Sequence, residues 1–184
     1  MSAAPLTRTC SLDDFPACDS VAVWQQSLAI DAYQRWESGE TTVEGDVLCY
    51  NRGAAHFRAP GVNPIYCTDT DPKWEAVSCS AVFALSVLDR VKWPMRFLRR
   101  QATRLLPGGL IVCTFAAWDA TGEDCAVGHE LRQRIYNCYS WGRLLQEVKS
   151  VGLQPFGDVD LRYRGHTLGD HTLATLVMMK RRRL

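Results

Sequence analysis

Two carboxylates stand where a parallel sheet would place ligand-binding residues. Asp69 and Asp71 follow a short strand candidate, Pro64–Thr68, directly along the chain. In open α/β sheets, ligands bind beyond the carboxyl ends of the strands. The two acids therefore predict a ligand-contacting position at that edge of the fold.

The cysteines and histidines give weaker chemical signals. The eight cysteines contain no C-x-x-C pair, and five of them lie within apolar runs or beside aromatic residues. This pattern favours reduced, buried thiols over disulfides or a zinc site. His166, Asp170 and His171 match no strong metal-binding spacing, so we predict that the chain holds no metal.

The elements that must position these residues alternate between strands and helices. The strongest apolar run, Glu75–Leu88, is too continuous for a half-exposed strand and predicts a central strand buried on both faces. A predicted helix follows, then the turn Pro107-Gly108-Gly109 and a second buried strand, Leu110–Phe115. Two further strand candidates, Gln154–Tyr163 and Thr172–Met179, complete an α/β fold with a mostly parallel sheet and an antiparallel edge pair.

Charge is distributed unevenly, although the formal net charge is only +1. Residues 1–50 carry a net charge of −6 and the remainder +7. The helix predicted before the Pro-Gly-Gly turn places four arginines opposite its apolar side: Arg96, Arg99, Arg100 and Arg104. These cations predict a surface for an acidic protein or RNA, with a solvated helix face as the alternative.

One block of sequence, Glu75–Phe115, carries a family resemblance. It begins E-A-V-S-C-S-A-V-F-A-L-S-V-L-D-R-V, continues with a Pro-started helix, and ends R-L-L-P-G-G-L-I-V-C-T-F. It resembles the second half of a class I S-adenosylmethionine-dependent methyltransferase, and the resemblance extends to about residue 180. It implies a Rossmann-like three-layer sandwich, S-adenosylmethionine as cofactor, and a methyl-donor pocket lined by Ser86, Val87 and Leu88.

The resemblance also implies where an acceptor pocket would lie. In that family it is built after the strand that here ends near Phe115. His129 and Glu130 lie in this region as candidates for a base or for orienting the substrate. Trp118 and Tyr139 are candidates for lining the pocket. The alternative is that the polar pair decorates a helix and the aromatic residues belong to the core.

The family's glycine-rich turn, which lets the backbone approach the cofactor, has no G-x-G-x-G counterpart here. In a first register, the first strand is Asp46–Tyr50 and the turn is N-R-G-A-A, with Asn51 and Gly53 where glycines would stand. Asp69 or Asp71 then ends the second strand and binds the ribose hydroxyls. This register leaves no room for the family's third strand.

In a second register, the first strand is Ser20–Trp24, the first helix Gln25–Gly39 and the second strand Thr41–Asp46. Asp46 then binds the ribose, and Asp69 ends a third strand on the adenine side. Every element of the family fold is present, at the cost of a bulky W-Q-Q-S turn. We favour this register because a complete sheet requires fewer exceptions, and the first register stays open.

The predicted organisation is an N-terminal arm, residues 1–19, followed by one methyltransferase-like domain, residues 20–184. The implied function is methyl transfer to an acceptor that the sequence does not identify. The alternative is an inactive methyltransferase-fold module that acts as a binding or scaffold subunit for protein or RNA. No apolar run reaches the roughly 20 residues of a membrane span.

The start of the sequence bears on the expected compartment. It lacks the basic start and apolar stretch of a secretory signal, so we expect an intracellular, cytoplasmic protein. Arg8 and the absence of acids before Asp13 keep mitochondrial targeting open.

Overall fold

The chain folds around one mixed sheet with helices on both faces. The fold is taken from a computed structural model and described for residues 7–10, 21–39, 42–50, 62–67, 77–118, 125–127, 133–160 and 172–182. The helices are α1 (Val21–Glu37), α2 (Pro94–Arg104) and α3 (Cys138–Ser150). The strands are β1 (Thr7–Cys10), β2 (Asp46–Tyr50), β3 (Ile65–Cys67), β4 (Cys79–Leu85), β5 (Leu105–Trp118), β6 (Cys125–Val127), β7 (Gln133–Asn137), β8 (Leu153–Pro155), β9 (Val159–Asp160) and β10 (Thr172–Lys180).

The sheet is parallel on one side and antiparallel on the other. Its parallel part has the order β3-β2-β4-β5, and β10 continues it antiparallel to β5. β8 and β1 pair antiparallel with opposite ends of β10, β9 pairs parallel with β1, and β7 joins the end of β5 and pairs with β6. The predicted α/β fold, mostly parallel with an antiparallel edge pair, is confirmed.

Two separate cores make the fold a three-layer sandwich. On one face of the sheet, the buried cluster joins α1 to the strands and includes Leu28, Ala32, Trp36, Phe83 and Val112. On the other face, a larger cluster joins α2 and α3 to the strands and includes Leu98, Trp141, Val148, Val82 and Ile111. Every residue of β4 is buried, as a central strand covered on both faces requires.

The position of β2 decides between the two registers in favour of the first. β2 lies between β3 and β4, so Asp46–Tyr50 is the first strand of the parallel set. The second register is wrong, because residues 21–24 are helical and residues 42–45 of the predicted strand Thr41–Asp46 are not in a strand. Most of the segment between β3 and β4 lies outside the described residues, so the missing third strand of the first register stays a prediction.

The helical conformation of the V-A-V-W run has a simple physical cause. Trp24, Leu28, Ala32 and Trp36 recur every four residues, and all four are buried. This stripe includes Trp24, so the run belongs to the same amphipathic helix as the residues after it. Val23, whose side chain points away from this stripe, is 44% exposed.

The Pro-Gly-Gly segment forms an irregularity inside β5. We predicted a turn that stops the helix, whereas α2 ends at Arg104 and β5 begins at the next residue. The β4–β5 pairing shifts register here, from Cys79 opposite Leu105 to Ala81 opposite Leu110. A Cβ on Gly109 would lie 2.8 Å from the Ser80 carbonyl oxygen, so glycine is required for this close approach.

Part of the predicted N-terminal arm lies in the sheet. β1 pairs with β10 and β9, whereas residues 1–6 and 11–20 lie outside the described part of the chain. Among the described residues, no helix combines the length and apolar character needed to cross a membrane.

Candidate functional site

The candidate site is the crevice at the carboxyl ends of β2 and β4. These strands are neighbours, with Tyr50 opposite Ala84, but the chain leaves β2 toward β3 and leaves β4 toward β5. The crossovers therefore depart in opposite directions along the sheet. Such a point of divergence opens a crevice outside the strand ends, where open α/β sheets bind their ligands.

The residue that ends β4 at this crevice has a strained backbone. Ser86 has φ of 52°, in the left-handed region that favours glycine. Holding a residue with a Cβ there costs about 1–2 kcal/mol. Its N–H donates to Thr114 of β5, at 3.1 Å to the carbonyl oxygen and 2.9 Å to Oγ1, and this pair of contacts fixes the turn.

The chain that follows Ser86 forms a tight apolar turn. Val87 and Leu88 are buried, with 6% and 0% exposed. The N–H groups of Arg90 and Val91 both donate to the Val87 carbonyl oxygen, at 2.9 and 3.0 Å. The predicted donor-pocket residues Ser86, Val87 and Leu88 therefore occupy one ordered turn beside the crevice. Their contact with a cofactor stays a prediction.

A residue of α1 completes this side of the crevice. Gln25 is 5% exposed, and its Nε2 donates to the Ser86 Oγ at 2.6 Å. The bond joins helix and strand across 61 residues of sequence. Gln25 was not among the predicted site residues, although the second register placed the W-Q-Q-S segment that contains it at the cofactor turn.

Asp46 does not reach the crevice. It is the first residue of β2, exposed and at the amino end of the strand, whereas ligands are expected at the carboxyl end. The ribose-binding role that the second register gave to Asp46 is therefore wrong. Asn51, Gly53, Asp69 and Asp71 lie outside the described residues, and their predicted roles stay predictions.

A buried polar pair lies under α2, next to the carboxyl end of β2. Tyr50 is 2% exposed and packs edge-on against Phe97, with ring centroids 5.2 Å apart. Arg104 Nη1 donates to its hydroxyl oxygen. Burial raises the pKa of Tyr50, and the nearby Arg104 charge opposes that rise. The phenol therefore stays protonated and neutral well above pH 7.

Arg104 also corrects the predicted arginine surface. It is 5% exposed, whereas Arg96 and Arg99 are exposed and Arg100 is half-buried. A side chain at the last turn of a helix extends back toward the helix N-terminus, which brings its head under α2 to Tyr50. Within the described residues, Nε and Nη2 of Arg104 have no hydrogen-bond partner.

Four cysteines whose side chains the structure describes are buried thiols outside any disulfide, as predicted for them: Cys49, Cys67, Cys79 and Cys113. Burial raises the pKa of Cys49 and of Cys79 to about 12 and that of Cys113 further. These thiols are protonated at neutral pH, which makes them poor nucleophiles and poor metal ligands.

The remaining predictions concern a metal site and an acceptor pocket. The described residues hold no cluster of three metal-ligating side chains. His129, Glu130, His166, Asp170 and His171 are outside these ranges, and so are the side chains of Trp118 and Tyr139.

The comparisons with known proteins place this geometry among methyltransferase structures. A 1,6-didemethyltoxoflavin N1-methyltransferase from Burkholderia thailandensis, solved with S-adenosylhomocysteine, is 15% identical with a TM-score of 0.59, over 92% of this chain and 83% of that one. The magnesium protoporphyrin IX methyltransferase of Synechocystis PCC 6803, with bound S-adenosylhomocysteine, is 10% identical with a TM-score of 0.53, over 86% and 85%. The [4+2]-cyclase SpnF is 15% identical with a TM-score of 0.55, over 86% and 82%.

The chain therefore has the fold of class I S-adenosylmethionine-dependent methyltransferases, as the sequence resemblance implied. No protein-family model matches its sequence, and no curated protein matches it. One of the similar structures is by name a cyclase, so the fold alone does not determine the reaction.

Proposed function

We propose that this chain binds S-adenosylmethionine in the crevice between β2 and β4 and transfers the methyl group to an acceptor. The observation that carries the proposal is the strained Ser86 turn, because backbone strain persists where the surrounding structure fixes it, typically at ligand sites. Contacts from β5 and α1 hold this turn at the point of strand divergence. Structures with the same fold carry S-adenosylhomocysteine, which supports the choice of ligand.

The residues present fit a large, partly apolar cofactor. Val87 and Leu88 supply an apolar wall, and Ser86 and Gln25 supply hydroxyl and amide groups for orientation. In the N-R-G-A-A turn, which stands in place of the family's glycine-rich turn, Asn51 and Gly53 would let the backbone pass close to the cofactor. Asp69 or Asp71 would accept hydrogen bonds from the ribose.

The cofactor, when bound, supplies a methyl group already activated on a sulfonium, so the protein needs little covalent chemistry. This chain's own residues have to align the acceptor with that methyl group and exclude water. The buried thiols take no part, because their pKa values are raised. The buried Val87–Leu88 turn fits the second task, the exclusion of water.

The alternative is a methyltransferase-fold module that binds a partner without the cofactor. Two observations favour it. Gln25 and Ser86 already satisfy each other with a 2.6 Å hydrogen bond, and Trp24 beside them is fully buried. An occupied crevice of this kind would leave the exposed surfaces of the fold as the functional part.

Titration of the purified chain with S-adenosylmethionine and S-adenosylhomocysteine distinguishes the two functions. Ligand at about 100 times its dissociation constant adds nearly 3 kcal/mol to the free energy of unfolding, which thermal unfolding detects. Saturable binding by calorimetry supports the enzyme. Absence of binding at millimolar ligand leaves the binding module.

Two serines of the same strand region provide a matched pair of variants. Ser86→Ala removes the acceptor of Gln25 at the crevice, whereas Ser80→Ala removes donors to the Gly45 and Asp46 carbonyls at the other end of β4. Each loses about 1 kcal/mol of stability. Only Ser86→Ala is expected to weaken cofactor binding. Equal affinities in the two variants would contradict the assigned site.

A further inference from the structure

A second surface lies next to the crevice, on the loop from β4 to α2 and the first turns of α2. We call it the Trp93 surface, and it consists of Arg90, Lys92, Trp93, Arg96 and Arg99. All five residues are exposed. From Arg90 to Arg104 the chain has six cations and no acid, and the preceding acid, Asp89, is only 2% exposed. The surface is therefore strongly positive.

The tryptophan on this surface is exposed for no reason of packing. Trp93 is 62% exposed, the highest value among the exposed large apolar residues described. Lys92 Nζ lies 5.5 Å from its ring centroid, so a cation already associates with the indole. The Trp93 backbone, with φ of −131° and ψ of 78°, lies outside the helical conformation, which proline disfavours for the residue before it. An exposed indole beside a cation is a platform for stacking.

Trp93 is also a poor choice for the helix it precedes. It is the N-cap of α2 and makes no side-chain capping hydrogen bond. Ser, Thr, Asp or Asn at an N-cap stabilises a helix by about 1 kcal/mol, and the α2 first turn contains no acid to complement the helix dipole. Neither helix stability nor core packing explains this residue, so its use points to a ligand.

The cations have a regular spacing that continues from Trp93. Arg96 and Arg99 follow it at intervals of three residues, so each side chain neighbours the one before it on the helix surface. Within the described residues, Arg90, Arg96 and Arg99 have no carboxylate partner. Repulsion between these like charges costs stability, and a bound polyanion would relieve it.

We propose that the Trp93 surface binds single-stranded nucleic acid, with a base stacked on the indole and the cations along its phosphates. Stacking on an aromatic side chain combined with a positive track is how proteins hold single strands without sequence preference. An acidic protein would use the charges but not the indole. Because the same loop begins at Ser86, a nucleic-acid strand bound to the Trp93 surface passes beside the candidate cofactor site.

The test measures binding of fluorescein-labelled oligonucleotides of about 12 nucleotides by anisotropy, in RNA and DNA versions, without S-adenosylmethionine. Omitting the cofactor keeps this result independent of the proposed methyl transfer. We expect saturable binding at about 50 mM salt that weakens steeply as salt rises. The two versions establish which sugar is preferred.

Three variants separate stacking from charge. Trp93→Ser is expected to weaken binding about tenfold while the melting temperature stays or rises, because serine caps α2. Arg96→Glu with Arg99→Glu is expected to weaken binding at least tenfold. It should also make the fall of the log association constant with log salt concentration less steep, by about 1.4 in slope. Arg181→Glu with Arg182→Glu is the charge-matched control, because both arginines are exposed and follow β10 at the other end of the strands, and it is expected to bind like the parent chain.

Three results would overturn the proposal. One is the absence of saturable binding to either oligonucleotide. Another is equal affinity for polyglutamate, which would indicate an acidic protein partner instead. The third is full retention of affinity by a folded Trp93→Ser chain.

Discussion

The two ends of β4 differ in packing and in backbone strain. At the amino end, Ser80 donates to the Gly45 and Asp46 carbonyls, at 2.8 and 3.2 Å, and Gly109 packs where no Cβ would fit. At the carboxyl end, Ser86 holds a positive φ and accepts a hydrogen bond from a helix distant in sequence. One end is close-packed, whereas the other is strained and held from outside.

The largest expected effect is at the close-packed end. Gly109→Ala places a Cβ 2.8 Å from the Ser80 oxygen and 2.9 Å from the Leu106 oxygen, both backbone atoms that move only with their strands. We expect a loss of about 3 kcal/mol in the free energy of unfolding, measured with urea, and unchanged ligand affinity per folded molecule. A loss below about 1 kcal/mol would show that this end is not close-packed.

The buried pair under α2 tests whether polar contacts near the crevice contribute stability. Tyr50→Phe removes the hydroxyl that accepts from Arg104 and leaves that guanidinium buried with one partner fewer, so we expect a loss of about 2 kcal/mol. Arg104→Met replaces the charge with an apolar side chain of similar length and is expected to be neutral or stabilising. Urea unfolding of both variants is the measurement. Equal losses would contradict this asymmetry.

Two buried thiols, Cys79 at the amino end of β4 and Cys49 on the neighbouring strand β2, predict a dependence of stability on pH. Burial raises the pKa of Cys49 and of Cys79 from 9.0 to about 12, so these groups ionise in the unfolded chain first. Their contribution is complete below pH 9 and is lost as pH rises toward 12, by about 1.4 kcal/mol per pH unit for each thiol. Unfolding free energies measured at about pH 8 and about pH 10 should show the decrease. Cys79→Ala should reduce it, and a slope unchanged by this substitution would refute the assignment.

The smallest expected effect on stability is at the strained end. Ser86→Gly relieves the backbone strain of the positive φ. It also leaves the Gln25 amide without its acceptor and adds chain entropy to the unfolded state. The net change is expected to stay within about 1 kcal/mol, because these contributions oppose one another. Calorimetric titration should nevertheless show weakened S-adenosylmethionine binding. Gly109→Ala and Ser86→Gly would thus separate stability from binding, and a variant pair that changed both together would remove the distinction.

The sequence allowed some elements to be predicted because their signals are local. The buried strands β4 and β5 come from continuous apolar runs, whereas Ser86 was placed at the donor pocket by the family resemblance. The first strand was ambiguous, because V-A-V-W is apolar enough for a strand. Only the four-residue repeat that starts at Trp24 shows it to be helical.

Other features depend on contacts between distant residues and could not be predicted. The Gln25–Ser86 bond requires knowing that α1 crosses the end of β4. Arg104 lies on the polar side of the helical pattern, and its burial follows from the side chain folding back to Tyr50 at the helix end. The Pro-Gly-Gly segment is typical of a turn, and its place inside β5 depends on the close approach of Ser80 to Gly109.

The position of β10 has a consequence for how the chain acquires its fold. β10 is the last of the described strands along the sequence, yet it lies inside the sheet, with β5 on one side and β1 and β8 on the other. Thr9 pairs with Ala174, so the earliest strand has no place in the sheet until the latest one arrives. During synthesis, the backbone N–H and C=O groups along this edge of β5 therefore stay open to pairing with other chains until residues 172–180 leave the ribosome.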